Sequence, residues 1–320
     1  MLLLPFFDDS DENLNLMSVF TPITEAQLHE FLFRYSLGQL ISFSGIEAGT
    51  DNSNFFVTTT QGEYVLTLFE NLTDRELPFF LNLGDHLKAR NCKIAQPMHD
   101  KAGDALQVLA DKPAVLFEKL AGRHVVVPSQ DHCSQMGRAM GEFHTAVQEL
   151  SIERRNPFGL NWLMAHRQYQ HWMETEDHEL FNKTLDQLEQ LNDMDLPTGI
   201  IHADLFHDNA LFKDDHLSGV IDWYFACNDY LLLDLAIMIN DWCRHGLTFD
   251  QNRIDAMIHS YQSKRRLTAD ERRAMVLMRK LAVCRFWLSR TLAWNDLKDR
   301  QLEQVTVKSP NEMKALLKIL

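Results

Sequence analysis

Residues 200–212 read Ile200-Ile201-His202-Ala203-Asp204-Leu205-Phe206-His207-Asp208-Asn209-Ala210-Leu211-Phe212, and after a polar interval the chain continues Val220-Ile221-Asp222-Trp223. Apolar, strand-favouring residues bracket a polar core. The pattern predicts a strand, a loop and a β-hairpin with a turn through Asp214 and Gly219, the last strand ending in Asp222. Within the loop a His, an Asp and an Asn fall in the order H-x-D-x-x-x-x-N.

This non-helical island, residues 199–225, lies in a part of the chain that otherwise reads as helix. Cys133, Met136, Met140, Phe143, His144 and Val147 form one apolar stripe at helical spacing, and helical periodicity recurs over 162–175, 180–191, 230–243, 253–262 and 269–294. The first third differs. A helix is expected over 25–35, strands over 41–46, 54–59 and 64–69 with turn signals at 49–52 and 61–62, a helix over 77–90, then strands over 105–109 and 114–118. The character changes at Phe117-Glu118-Lys119-Leu120-Ala121-Gly122, where the hinge between two lobes is placed. The fold class is therefore α+β: an N-terminal antiparallel β lobe with a helix over 17–118, a mostly helical lobe over 119–320, and a cleft between them where ligands tend to bind. Residues 1–16, ahead of Met17, are expected to be a disordered extension.

Composition narrows the class. With 320 residues and 45% hydrophobic content the chain has an ordinary globular make-up. A net charge of −14 argues against nucleic acid as a partner, because a phosphate backbone needs a basic footprint. Leu2–Phe7 is broken by Pro5 and followed by acids, so no secretory signal or membrane anchor is expected. Five scattered cysteines without a C-x-x-C pair favour reduced thiols in a cytoplasmic protein. No period of twenty to fifty residues recurs, which removes solenoids and propellers.

Phosphoryl transfer to an alcohol needs a carboxylate that orients the hydroxyl and accepts its proton, and ligands that hold metal against the β- and γ-phosphates. The loop supplies both at the spacing of kinase catalytic loops. Asp204 is the expected base, Asn209 and Asp222 the Mg²⁺ ligands, and ATP the donor; the fold expected is the two-lobed protein-kinase-like one. His202 has two readings, a general base or a buried ring that holds the loop through backbone bonds, and the second is preferred. His207 reads as a solvated loop residue. Asp234, at the head of an apolar helix, is either a helix-terminus carboxylate or a receiver of catalytic-loop amides. In the first lobe, residues 45–54 lie between two strands, and Gly49, Asn52, Ser53 and Asn54 are candidate phosphate-covering residues, although such residues also mark an ordinary hairpin turn. Glu118 and Leu120 at the hinge complete the candidate nucleotide-binding set.

The Asn52-Ser53-Asn54 turn, Val65-Leu66-Thr67-Leu68-Phe69-Glu70, Leu77-Pro78-Phe79-Phe80, the loop Ile201–Asn209 and Leu217-Ser218-Gly219-Val220-Ile221-Asp222-Trp223-Tyr224-Phe225-Ala226-Cys227 together resemble homoserine kinases of the aminoglycoside phosphotransferase and choline kinase-like superfamily. The likeness continues through Asp234-Leu235-Ala236-Ile237, Arg285-Phe286 and Val305–Pro310. It implies transfer of the ATP γ-phosphate to the side-chain hydroxyl of L-homoserine, a step toward threonine. A free amino acid brings a carboxylate and an ammonium, for which Arg285 or Arg290 and Asp241 are the candidates; the arginines equally suit a structural ion pair. Two alternatives stay open: another small alcohol, such as an aminoglycoside or choline, and a non-catalytic pseudokinase. The latter is suggested by Thr67, which stands where kinases usually carry a lysine. Arg75 is a possible substitute for it.

Overall fold

The structure is a computed structural model, and it describes residues 21–46, 52–168, 173–299 and 308–320. Thr24 opens α1 (Glu25–Phe33) with a capping box: its hydroxyl accepts from the Gln27 amide while the Gln27 side chain accepts from the Thr24 amide. Strands β1 (Leu40–Gly45), β2 (Asn52–Thr59) and β3 (Gly62–Phe69) follow, then α2 (Leu77–Ala89), β4 (Gln107–Leu109) and β5 (Lys112–Glu118). All pair antiparallel in the order β1-β2-β3-β5-β4. Ala110 and Asp111 both take positive φ, as the two-residue β4–β5 turn requires. Central β3 is covered on both faces along 66–69, and one face packs with Leu28, Phe31 and Leu32 of α1 and with Tyr35 just beyond it.

The chain divides into two compact units. Among the described residues the first holds 21–88 and 95–120, and the second holds 89–94 and 121 onward. The second begins with α3 (Gln130–Ala146), capped by Ser129, then α4 (Leu160–Ala165), α5 (Thr175–Leu188), β6 (Thr198–Ile201), β7 (Ala210–Lys213), β8 (His216–Val220), β9 (Cys227–Tyr230), α6 (Leu231–Trp242), the short strands β10 (Arg244–His245) and β11 (Thr248–Phe249), α7 (Gln251–Gln262), α8 (Ala269–Asp299) and α9 (Pro310–Ile319).

Helix α6 is buried on nearly every side, which its apolar sequence demands. Helices α3 and α7 approach to backbone contact because Gly137 and Gly141 face α7: a Cβ on Gly137 would lie 2.2 Å from the Met257 carbonyl oxygen, and one on Gly141 2.7 Å from that of Tyr261.

Two expectations change. Residues 162–175 are not one helix: α4 gives way to a 3-10 turn over His166–Gln168, where the His166 ring also lies 2.8 Å from the Trp162 carbonyl, and α5 starts afresh at Thr175. The β7–β8 turn is Asp214–Asp215, both at positive φ, and Gly219 sits inside β8, since a two-residue turn needs two left-handed residues and Asp tolerates them. None of the described helices is long and apolar enough to cross a membrane.

Candidate active site

Strand β6 pairs with β9 and ends at Ile201, which delivers the loop beginning at His202. Ala203 takes φ +66, a left-handed conformation uncommon for a residue with a Cβ, and the surroundings hold it from both sides. The Asp234 carboxylate accepts the His202 amide at 2.7 Å and the Ala203 amide at 2.8 Å. The Ala203 carbonyl accepts from Nη1 of Arg285. Asp204, the next residue, is aimed by a peptide fixed at both ends.

Ile221 joins this loop to Asp222. Its amide donates to the Asn209 carbonyl at 3.0 Å, and its carbonyl accepts from Nε2 of His202 at 2.9 Å. The Asn209 amide nitrogen donates to the Asp204 carbonyl at 2.7 Å and lies 3.3 Å from Oδ2 of its carboxylate. Asp222 itself is left-handed, φ +61, at the end of the hairpin. Asp204 and Asn209 are thus bonded to one another, and the backbone that carries Asp222 is tied to the same loop through Ile221.

His202 is fully buried, with Nδ1 accepting the Asp204 amide at 3.2 Å and its ring tilted against Trp223. Burial pulls its pKa below the usual value, so the ring is neutral, an Nε2–H donor and Nδ1 acceptor. Both nitrogens are spent on backbone. His207 is not a solvated loop residue: its backbone amide and its Nδ1 both lie 2.7 Å from Oδ2 of Asp241, and that bond raises its pKa. A carboxylate on α6 reaches the loop, which sequence spacing does not reveal. Burial pushes the Asp204 carboxyl up to about 6, opposed chiefly by the charge of Arg285.

The other expected residues lie as follows. Arg285 is buried, its guanidinium on the loop carbonyl, with Nε and Nη2 lacking a hydrogen-bond partner. Arg290 pairs with Glu312 of α9 at 3.3 Å, and its charge acts on Asp204 and Asp241. In the first unit, Ser53 accepts the Thr21 amide at 2.9 Å and donates to Glu70 at 2.6 Å, and Glu70 pairs with Lys112 at 3.0 Å. Asn54 accepts from the Thr67 hydroxyl at 2.8 Å, and its own amide reaches the Asn52 carbonyl. Glu118 pairs with Lys88 at 3.0 Å, and Leu120 is half-buried. Asp85 pairs with His99, and Arg75 is exposed. Gly49 lies outside the described residues. The sequence did not signal Lys308, whose ammonium pairs with Asp208 of the loop at 2.8 Å, or the Lys112–Glu70 pair. Both join residues far apart in the chain.

A carboxylate held beside a carboxamide on a hydrogen-bonded loop after a short strand, with a further Asp at the end of the hairpin bonded to that loop through Ile221, is the equipment of an alcohol phosphotransferase. A family model described as the phosphotransferase enzyme family, APH, matches residues 42–276. The chain is 39% identical over 302 residues to the homoserine kinase of Methylobacterium radiotolerans, covering 92% of this chain and 94% of that one. It is 40% identical over 305 residues to the homoserine kinase of Methylobacillus flagellatus, covering 94% and 95%. Among solved structures, an amicoumacin kinase in complex with AMP-PNP, Ca²⁺ and Ami superposes with a TM-score of 0.70 over 92% of each chain, at 14% identity. The chain belongs to the phosphotransferase enzyme family, among its homoserine kinases.

Proposed function

We propose that this protein transfers the γ-phosphate of ATP to the side-chain hydroxyl of L-homoserine, giving O-phospho-L-homoserine. The observation that carries the acceptor is the near full-length identity to two homoserine kinases; the loop around Asp204 supports the reaction class. Asp204 orients the hydroxyl and takes its proton, and a carboxyl pushed up to about 6 stays ionised at neutral pH while being more basic than a free aspartate.

Asn209 and Asp222 fit a hard cation such as Mg²⁺. The Asn209 nitrogen is committed to Asp204, so its oxygen is the end that faces a ligand, and Asp222 adds an anionic oxygen. Among the described residues no three His, Cys, Asp or Glu side chains gather as a metal cage, which suits an ion that takes only one or two protein carboxylates and completes its shell with phosphate and water. When bound, that ion offsets the charge of the phosphate oxygens.

Arg290 is the candidate for the acceptor carboxylate, because Arg285 is bonded to the Ala203 carbonyl and holds the loop, whereas the charge of Arg290 acts on Asp204 and Asp241. Asp241 takes the ammonium. In the first unit, Asn52, Ser53, Asn54, Glu118 and Leu120, with Gly49 of the preceding turn, serve the nucleotide. A cytoplasmic location accords with five free cysteines. A coupled ADP-release assay over L-homoserine, L-serine, 3-aminopropanol, choline and an aminoglycoside tests the reading. L-Homoserine should be the best acceptor, and 3-aminopropanol, which lacks the carboxylate, a poor one. Faster turnover of choline or the aminoglycoside at equal concentration rejects the acceptor.

A further inference from the structure

Behind Asp234 lies a line of polar groups that the reaction does not use. Nε2 of His144, on α3, is 3.2 Å from Oδ2 of Asp234; Nδ1 is 2.7 Å from the Tyr261 hydroxyl of α7. That hydroxyl is 2.9 Å from Nη1 of Arg265, which is 2.8 Å from the Glu271 carboxylate. Glu271 also accepts the Thr268 amide at 2.8 Å, in the turn that opens α8. Asp234, His144, Tyr261 and Glu271 are all wholly buried, and Arg265 is 8% exposed.

The donors and acceptors along this line have one consistent assignment. Asp234 accepts two backbone amides, so it is an anion and can only accept from His144. Nε2 therefore carries the proton. Burial lowers the His144 pKa, so the ring is neutral and Nδ1 is an acceptor, filled by the Tyr261 O–H. The Tyr261 oxygen, its proton spent, accepts from Arg265, whose charge is matched by Glu271. From Arg265 to Asp234 every donor points the same way, while Arg265 also donates to Glu271, and reversing any member would leave a buried group unsatisfied.

We propose that His144 and Tyr261 are positioning residues for Asp204: the line Glu271, Arg265, Tyr261, His144, Asp234 fixes the left-handed Ala203 peptide and so the direction of the Asp204 carboxylate. The proposal rests on the reading of Asp204 as the base. A strained peptide keeps its geometry only if its surroundings over-determine it. Asp234 supplies that restraint on the amide side, and without His144 a second carboxylate rotamer is no longer excluded. Loss of the line should misdirect the base and leave the binding groups in place.

The test uses the full chain with its best acceptor and three variants, each checked for folding by near-ultraviolet circular dichroism at the assay temperature. His144→Leu should lower kcat by roughly 10- to 100-fold, with KM for nucleotide and acceptor changed less than about twofold, since a misplaced reacting group costs rate rather than affinity. His144→Gln, which keeps an N–H that reaches Asp234, should recover much of that loss. Tyr261→Phe should fall between wild type and His144→Leu. Independently of turnover, the His202 and Ala203 amides should exchange hydrogen faster in His144→Leu, more so than the neighbouring amides of α6. A folded His144→Leu protein with wild-type kcat overturns the proposal. So does a loss carried by KM alone, unchanged exchange at His202 and Ala203, or a Gln variant no better than Leu. If Asp204→Asn retains turnover, the base assignment is what fails, and the exchange measurement still decides whether the line fixes the loop.

Discussion

The loop of residues 202–209 and the strand pair β2–β3 both carry residues expected at a nucleotide-dependent site, and the two regions are built on opposite electrostatic plans. Around the loop, charge is concentrated and answered: Asp234 by two amides and His144, Asp241 by His207, Asp208 by Lys308, Asp204 by the nearby guanidinium of Arg285. On β2 and β3 the pair at the same register is neutral, buried Thr67 to half-buried Asn54. The strand position where kinases usually hold a lysine contributes a hydroxyl bonded within the sheet, and the cations described nearby, Lys112, Lys119 and Lys88, are already paired with Glu70, Glu63 and Glu118. A loop that must aim a proton acceptor needs fixed carboxylates, whose cost is met by local amides and cations. A strand proposed to offer only its backbone to phosphate needs none.

The largest break in this comparison is Asp204→Asn. The kcat should fall by roughly 10²–10⁴-fold, the usual contribution of a general base. The same change should stabilise the protein without ligands. A carboxyl raised to about 6 in the fold, against 3.8 for the ordinary group, makes the ionised form a liability. The liability is full above pH 6, fades as pH falls toward 4, and is on the order of 3 kcal/mol. Denaturant midpoints at pH 8 and pH 4 check it: a gain at pH 8 that vanishes at pH 4 is expected, and equal midpoints at pH 8 sink the idea.

Next in size, Asp222→Asn should raise the Mg²⁺ concentration needed for half-maximal turnover by about tenfold or more, since an amide cannot replace an anionic oxygen on a hard cation. A metal titration at saturating nucleotide reads this, and an unchanged midpoint would mean that the metal is held elsewhere. Gly137→Ala probes the scaffold behind the loop. Alanine favours helices by nearly 1 kcal/mol, but its Cβ would meet the Met257 carbonyl oxygen at 2.2 Å and force α3 from α7, a net loss of about 1–3 kcal/mol. Urea unfolding measures it; a more stable variant would show that the helices separate freely. The smallest effect is expected at Thr67→Val: about 1 kcal/mol of stability from one neutral hydrogen bond, and little change in nucleotide KM. A tenfold rise in that KM would show that Thr67 has taken over the missing lysine's work and would remove half of the contrast.

The sequence made the sheet unit legible because its strands are short alternating or apolar runs between turn signals, and all but the β3–β5 pair join neighbours in the chain. The catalytic loop was equally plain, since Asp204 and Asn209 lie within six residues of one another. The region around 162–175 was misread because a helix that tightens into a 3-10 turn at His166–Gln168 shows no change in its apolar periodicity. His207 looked solvated because nothing in its neighbourhood announces that Asp241, 34 positions on, turns its carboxylate to it.

By itself, then, the sequence determined the kind of chemistry and the succession of elements, because both depend on short-range spacing: period 2, period 3.6, and a five-residue step from Asp204 to Asn209. Tertiary structure alone decided the charge states and the aim. Whether His202 is a base or a brace, whether Arg285 faces a ligand or the Ala203 carbonyl, and whether His144 is one more residue of an apolar stripe or the partner of Asp234 all depend on groups 19 to 90 positions apart. Burial fixes a histidine's proton and a carboxylate's partner through the cost of leaving either unsatisfied, and burial exists only once α3, α6, α7 and α8 have packed.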